Sequence, residues 1–591
     1  MHRLALAVLA LAASATASAQ SVGLVPGQPT AFTLPASAYT TGLHFDVPAG
    51  ATSFKVELES DTPNVDIDLF LRYGNPFASQ TAYGRPMDFD TLQDQAQYHA
   101  VSGSDEESIS IGRANYRPVR EGRWHLAVLS FATIPVNARI KVEIGNAAPS
   151  PLQFDVRFDL PASDCDVAPW NDPTPASPVG GNPGTTLGEQ RRNAMREALR
   201  QLGAGLDSEI PISVRACWNA LAVDTNGSTT LAAASPDDFV IDDRSLVVNS
   251  TGGTFRPSAF LPGKYAFYAA APAARLGGTR ACSLRGGDCA DSTDMTIVYN
   301  RRIGESGVLG GAQFYLGYNA APAGTLDFVG VSVHELGHGL GFLSLVRLTG
   351  TVGAKPLGRD DIYARQIVDN RSFPYPPFMQ QTDAQRAEAL VSFNGLSWND
   401  ARAANSPLNT PTGFPGVLLF APNPIRPGST LSHLDSFYVG QLMTPSLNLS
   451  RGTRQLGLAV PMLHAVGWDP QATTFPTAPA PYAGLWYDRD RDAHGVDFQR
   501  IYRDAAGFDV YSLIFYTYDA SGRPEWYIAI GPLVDGVFAA QLDAAGNSLV
   551  RYRYVGGATP QQAVPAESGK VVLDFNQAPS APACNDGTAR T

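Results

Sequence analysis

The sequence predicts a multidomain α+β protein: an N-terminal β-sandwich, a central α+β domain and a small C-terminal β-domain. Three observations carry this expectation. The chain has 591 residues, more than one hydrophobic core organises. Two Pro-rich breaks divide it. Apolar residues alternate with a period of two in both flanks but mix helical and strand patterns between the breaks. The implied boundaries are 1–19 for a signal peptide, 20–163 for the sandwich, 164–188 for a linker, 189–470 for the central domain, 471–483 for a second linker and 484–591 for the C-terminal domain.

The first twenty residues, "MHRLALAVLALAASATASAQ", place Arg3 before an apolar run from Leu4 to Ala13, and Ala17-Ser18-Ala19 before Gln20. That order of charge, apolar core and small residues reads as a secretory signal cleaved after Ala19, so an extracellular location is expected. No later run is long and apolar enough to span a membrane. A net charge of -12 argues against nucleic acid or anionic lipid as the main partner. Oligomeric state is not legible.

In the following segment "SFKVELES", "VDIDLFLRY", "SISI", "RWHLAVLSF" and "ARIKVEI" alternate apolar and polar residues between Gly, Pro, Asp and Asn turns, the pattern of an antiparallel sandwich. The pieces "VPAGATSFKVELES", "VDIDLFLRYG", "SGSDEESISI" and "EGRWHLAVLSF" resemble the bacterial pre-peptidase C-terminal domain, which implies a non-catalytic accessory module. Asp66 and Asp68 are weak calcium candidates there, with solvated strand positions the preferred reading.

"DCDVAPWNDPTPASPVGGNPGTTLG", residues 164–188, reads as a linker. "GEQRRNAMREALRQLGAGL" then predicts a helix stopped by glycine, and "DSEIPISVRACWNAL" a strand running into a loop. Beyond the second break, "FDVYSLIFYTY", "DASGRP" and "EWYIAIG" predict strand, turn and strand, resembling a C-terminal β-module of secreted bacterial proteins. Trp486 and Trp526 in this part fit core packing better than a ligand platform. Five cysteines follow the signal, an odd number. Cys282 and Cys289 flank "SLRGGD", whose Gly286-Gly287 can turn the chain for a local bridge. Cys165, Cys217 and Cys584 are left unassigned, with structural use preferred over a metal-blocking thiol.

The chemistry lies in "VSVHELGHGLGF", residues 331–342. Leu326 to Phe342 predicts a buried helix with Thr325 as N-cap and Gly341 as stop. On such a helix His334 and His338 share one face, able to bind a single ion, and Glu335 is angled towards a water on that ion. This is the H-E-x-x-H arrangement of zinc hydrolases. Without partners, two imidazoles and a carboxylate in an apolar helix are costly to bury.

Catalytic zinc usually takes three protein ligands and a water. The compact H-E-x-x-H-x-x-G-x-x-H spacing is broken, because Ser344 stands at its last position. Three histidines follow His338. His494 lies beyond the second break, and His464, in "VPMLHAVGW", reads as a core side chain. His433 lies in the polar, turn-rich "STLSHLDSFYVGQLMTPS". Glu388 is the competing carboxylate, in an exposed helical pattern, and Asp435 is held in reserve. His433 is the preferred third ligand.

"HELGHGLGF" followed at a distance by "SHLDSFYVGQLMTP" resembles the leishmanolysin-like branch of the metzincins, and secreted bacterial proteins that share this zincin pattern. The resemblance implies a zinc metallopeptidase acting on proteins or peptides, with His334, His338 and His433 as zinc ligands, Glu335 as the general base and Met443 as the methionine of the turn beneath the metal. Pro445 stands where some metzincins carry a tyrosine, so that oxyanion donor is absent and no other is evident. Two readings compete: an extracellular adhesion protein on an inactive zincin scaffold, and a zinc hydrolase of non-peptide amides. In the insertion between the ligand segments, Asp360, Asp361 and Asp383 are calcium candidates, with ordinary surface positions preferred.

Overall fold

Strict alternation builds the N-terminal body. In the strand Ser53–Ser60, Phe54, Val56 and Leu58 are buried while Lys55 and Glu57 lie outward, as a period of two requires. The computed structural model describes residues 21–468 apart from 75, 78–87, 116–118, 147–150, 243–248, 251–252, 255–260, 264, 288, 410–411, 447–453 and 455, and beyond 468 only the strands of a sheet between 484 and 574. The signal stretch, both Pro-rich ends of the second break, His494 and Cys584 therefore lie outside the described residues.

Nine strands form the sandwich: β1 (Val22–Gly23), β2 (Thr30–Leu34), β3 (Tyr39–Val47), β4 (Ser53–Ser60), β5 (Ile67–Tyr73), β6 (Tyr98–Ala100), β7 (Glu106–Ile111), β8 (Gly122–Ser130) and β9 (Val136–Gly145). One sheet runs β1-β3-β8-β5-β6 and the other β2-β9-β4-β7. Phe45, Phe54 and Trp124 interlock edge to face between them. A short helix, α1 (Phe89–Gln95), covers the outer face of β5, burying Phe70 against Phe89 and Leu92. That cover corrects the solvated reading of Asp68, which is buried, while Asp66 is half-buried.

The central body is built on a four-stranded sheet of order β10 (Phe154–Arg157), β11 (Ile212–Asn219), β13 (Met295–Asn300) and β12 (Ala232–Pro236). The first three are parallel, and β12 is an antiparallel edge strand. Helix α2 (Leu187–Gly203) opens on a capping box between Thr186 and Glu189, which satisfies two of the free N–H groups at a helix start. Its buried side packs on the central helix Phe328–Gly339.

Residues 164–188 are not a linker. Trp170 is fully buried, its ring nitrogen donating to the Ala216 carbonyl at 2.7 Å, and it meets Trp218 edge to face. Asn182, also fully buried, donates to the carbonyls of Gln190 and Leu316. A disulfide joins Cys165 to Cys217 on β11, fixing a pairing that spacing left open. The Pro/Gly composition here serves tight turns that thread an aromatic anchor into the core, not freedom. The local Cys282–Cys289 bridge is present.

The sandwich docks on helices α3 (Ala270–Gly277) and α4 (Ala281–Arg285). Backbone N–H groups of Val101, Gly103 and Ser110 donate to the carbonyls of Ser283, Gly287 and Gly278, and Asn115 donates to the Arg275 carbonyl. Glu107 is buried at this junction with Ser102 donating to it from both N–H and hydroxyl. Burial pushes its carboxyl up to about 8, against the lowering effect of the Ser102 and Ser283 bonds. An unfolded glutamate titrates near 4.5, so between pH 4.5 and 8 the folded chain keeps a proton that the unfolded chain has lost. Stability from this group therefore falls as pH rises through that window, by up to about 1.4 kcal/mol per pH unit. We predict that Glu107→Gln, which keeps the acceptor without the charge, unfolds at a higher temperature than wild type at pH 8.5 and near the same temperature at pH 5. Parallel Tm curves for the two proteins would refute this.

The C-terminal strands form a β-meander. The strand Pro524–Val534 lies between Asp509–Tyr518 and Val550–Arg553, with half-buried Trp526 in register with positions 516 and 552. No helix among the described residues is long and apolar enough to cross a membrane.

Candidate metal centre

Helix α5 (Phe328–Gly339) is shorter than the sequence suggests at both ends. Its N-cap residue is Asp327, not Thr325, whose hydroxyl turns back to the Pro322 carbonyl. Asp327 makes no side-chain cap, because both of its oxygens are held at 2.7 Å by Arg454. At the other end Gly341, with φ +103°, permits the left-handed residue of a Schellman motif: Phe342 N–H bonds to Gly337 O and Gly341 N–H to His338 O. This stop has a chemical result. It folds the Phe342 carbonyl back over the helix end, where it accepts from Nδ1 of His338 at 2.8 Å.

The other two rings are held in the same way. Nδ1 of His334 donates to the Leu442 carbonyl at 2.6 Å, and Nδ1 of His433 to the Ser429 carbonyl at 3.0 Å. A carbonyl only accepts, so the proton of each neutral ring sits on Nδ1 and each Nε2 carries a bare lone pair. Those bare nitrogens point at one another. His433 Nε2 lies 3.3 Å from His338 Nε2 and 3.3 Å from His334 Nε2. With no proton between them these contacts are not hydrogen bonds. Three ligands on a tetrahedral ion at about 2.0–2.1 Å stand about 3.3–3.4 Å apart, which is the spacing of both pairs that include His433.

All three imidazoles are buried. Burial, reinforced by neighbouring rings, holds His433 down to about 3 and His338 well below the usual range. Burial alone lowers His334 to about 4, against its backbone bond. They are therefore in the neutral form that binds metal.

His433 reaches the helix on a hairpin. Leu431 N–H bonds to Phe420 O, Phe420 N–H to His433 O and Asp435 N–H to Leu418 O. Leu434 N–H then bonds to the Met443 carbonyl, tying the hairpin to the turn that supplies Leu442 O to His334. Met443 is fully buried. Its sulfur fills the space beside Gly337, where an added Cβ would lie 3.0 Å from Sδ. It thus packs under the helix between the turns that carry His334 and His338.

Glu335 is half-buried beside the triad, and Oε2 accepts from the Ala234 N–H of β12 at 3.1 Å. Burial raises its carboxyl to about 8, a value that any nearby cation would lower. The antiparallel edge strand over this glutamate is a feature that periodicity alone did not reveal.

The rival ligands are elsewhere. Asp435 is buried but spends its carboxylate on the Phe437 N–H. Glu388 is exposed and paired with Arg371. His464 lies in the turn after the helix Ala459–Leu463, outside the triad. Among the described residues, His334, His338 and His433 are the one group of His, Cys, Asp or Glu close enough to share an ion. Of the calcium candidates, Asp360 pairs with Lys355 and Arg365 and Asp383 with Arg386. Asp361 is buried, correcting its assignment to the surface.

No family model matches the chain, and no curated protein does. Among solved structures, the chain is similar to the pre-peptidase C-terminal domain of a collagenase from Bacillus anthracis, at 10% identity over 21% of this chain and 91% of that one, with a TM-score of 0.14. It is also similar to a family two carbohydrate esterase from Cellvibrio japonicus, at 10% identity over 33% of this chain and 54% of that one, with a TM-score of 0.10. At these scores neither likeness bears on the chemistry of the site, which stands on the three imidazoles themselves.

Proposed function

We propose that the protein is a secreted zinc metalloendopeptidase with a zincin-type central domain, its ion held by His334, His338 and His433. The observation that carries the reading is the convergence of three unprotonated Nε2 atoms, each with its Nδ1 committed to a carbonyl. Lone pairs facing the His433 nitrogen at 3.3 Å from both sides repel in a buried site unless a cation lies among them.

When bound, zinc supplies the charge that polarises a scissile carbonyl and lowers the pKa of a water from 15.7 towards about 7. Glu335 takes the proton of the attacking water and passes it to the leaving amine. The Ala234 N–H keeps the carboxylate aimed while this happens. An extended peptide can lie along the outer edge of β12, which among the described residues pairs with β13 alone. The signal-like N-terminus and the two disulfides fit an extracellular enzyme.

An adhesion protein on an inactive scaffold is the second reading, favoured only by the flanking β-modules. Glu335 speaks against it, since a structural ion needs no adjoining carboxylate. Casein digestion decides. We expect hydrolysis that a chelator abolishes and added zinc restores. A protein that binds zinc yet leaves casein and a peptide library intact belongs to the second reading.

A further inference from the structure

Ser344 stands where a compact site would carry its third imidazole, and it has another task. Its hydroxyl donates to Asp361 Oδ2 at 3.1 Å and its N–H to Ser432 Oγ at 3.2 Å. Ser432 immediately precedes His433. Asp361 also accepts from the N–H groups of Leu345 at 2.9 Å and Ala364 at 2.6 Å, and it is 2% exposed. Two residues on, the Tyr363 hydroxyl donates to the Leu431 carbonyl at 3.0 Å. Its buried ring lies between Phe342, at 5.3 Å, and Trp398, at 4.5 Å. One short segment thus grips the chain leaving α5 and the chain arriving at His433.

We propose that Asp361 is a positioning residue for the third metal ligand, acting through Ser344 and Ser432. This rests on the reading of the triad as a metal site. The geometry explains why a carboxylate is used. Three donors converge on it and no basic side chain accompanies it, whereas neighbouring Asp360 has both Lys355 and Arg365. An amide in either orientation would turn its NH₂ group against at least one of those donors. The consequence for the site follows from tolerance. Metal–ligand distances hold to within about 0.2 Å, and His433 reaches the helix across a gap of 95 residues. Its own hairpin fixes the ring relative to Met443, but Ser432 fixes it relative to the end of α5. Loss of such outer support commonly costs about 10–100-fold in metal affinity.

The test uses the full-length protein freed of metal, titrated with zinc against a competing chelator and, separately, with cobalt(II), whose visible absorption reports coordination geometry. Asp361→Asn should weaken zinc about 10–100-fold and change the cobalt spectrum. Ser432→Ala should weaken it several-fold, and Ser432→Thr, which keeps the acceptor oxygen, should restore wild-type binding. Should Asp361→Asn fail to fold, the two Ser432 variants decide alone. Folded variants that bind zinc and colour cobalt as wild type does would overturn the proposal. Wild-type protein that binds neither ion would instead overturn the metal site itself.

Discussion

On the proposed reading, Glu335→Gln is expected to retain the metal and lose nearly all hydrolysis. Gln is isosteric with Glu and can still accept from the Ala234 N–H, so the helix and the three rings beside it are undisturbed. What it lacks is basicity. Positioned proton transfer contributes about 10²–10⁴-fold, and on the proposed reading the same group would serve both proton transfers. A fall in kcat/KM of at least about 10²-fold on a fluorogenic peptide, at unchanged zinc content, is the expected pair of readings. Activity within tenfold of wild type would remove Glu335 from the mechanism.

The second large effect belongs to His433→Ala. On the proposed reading it deletes one of three metal ligands, where loss of an outer partner alone costs about 10–100-fold in affinity, so a fall beyond about 100-fold is expected, with activity lost in parallel. Asp435→Ala and Glu388→Ala are the controls. Asp435 is committed to the turn at Phe437 and Glu388 to Arg371 at the surface, so both should bind zinc as wild type does. If His433→Ala keeps wild-type affinity while either control loses it, the third ligand has been misplaced.

The grouping of the three histidines was legible in the sequence because its members are scarce. Only three histidines follow His338, and only one lies in a polar turn before a methionine. The sandwich was legible because period-two alternation survives in most of its long strands, β3, β4 and β9 above all. What escaped were features made by distant contacts. Trp170 looked like a residue in a linker, because composition reports turn propensity and not which ring reaches the core. Thr325 looked like a cap, but Arg454, 127 residues away, holds Asp327 at the position that begins the helix. Asp361 looked like a surface carboxylate, since its three donors come from Ser344, Leu345 and Ala364, which no local pattern marks. The carbonyls that orient the three rings are backbone atoms, invisible in any sequence motif.

The distance along the chain between His338 and His433 has a mechanical meaning. On the proposed reading the ion is a rivet joining two ends of a 95-residue stretch, comparable to a bridge that restrains an unfolded chain by about 4.7 kcal/mol for a loop of about 100 residues. A chelator would then do more than silence the chemistry. It would remove the clasp that closes this stretch, leaving side-chain ties such as Ser344 with Asp361 and Phe342 with Tyr363 to hold it to the helix end.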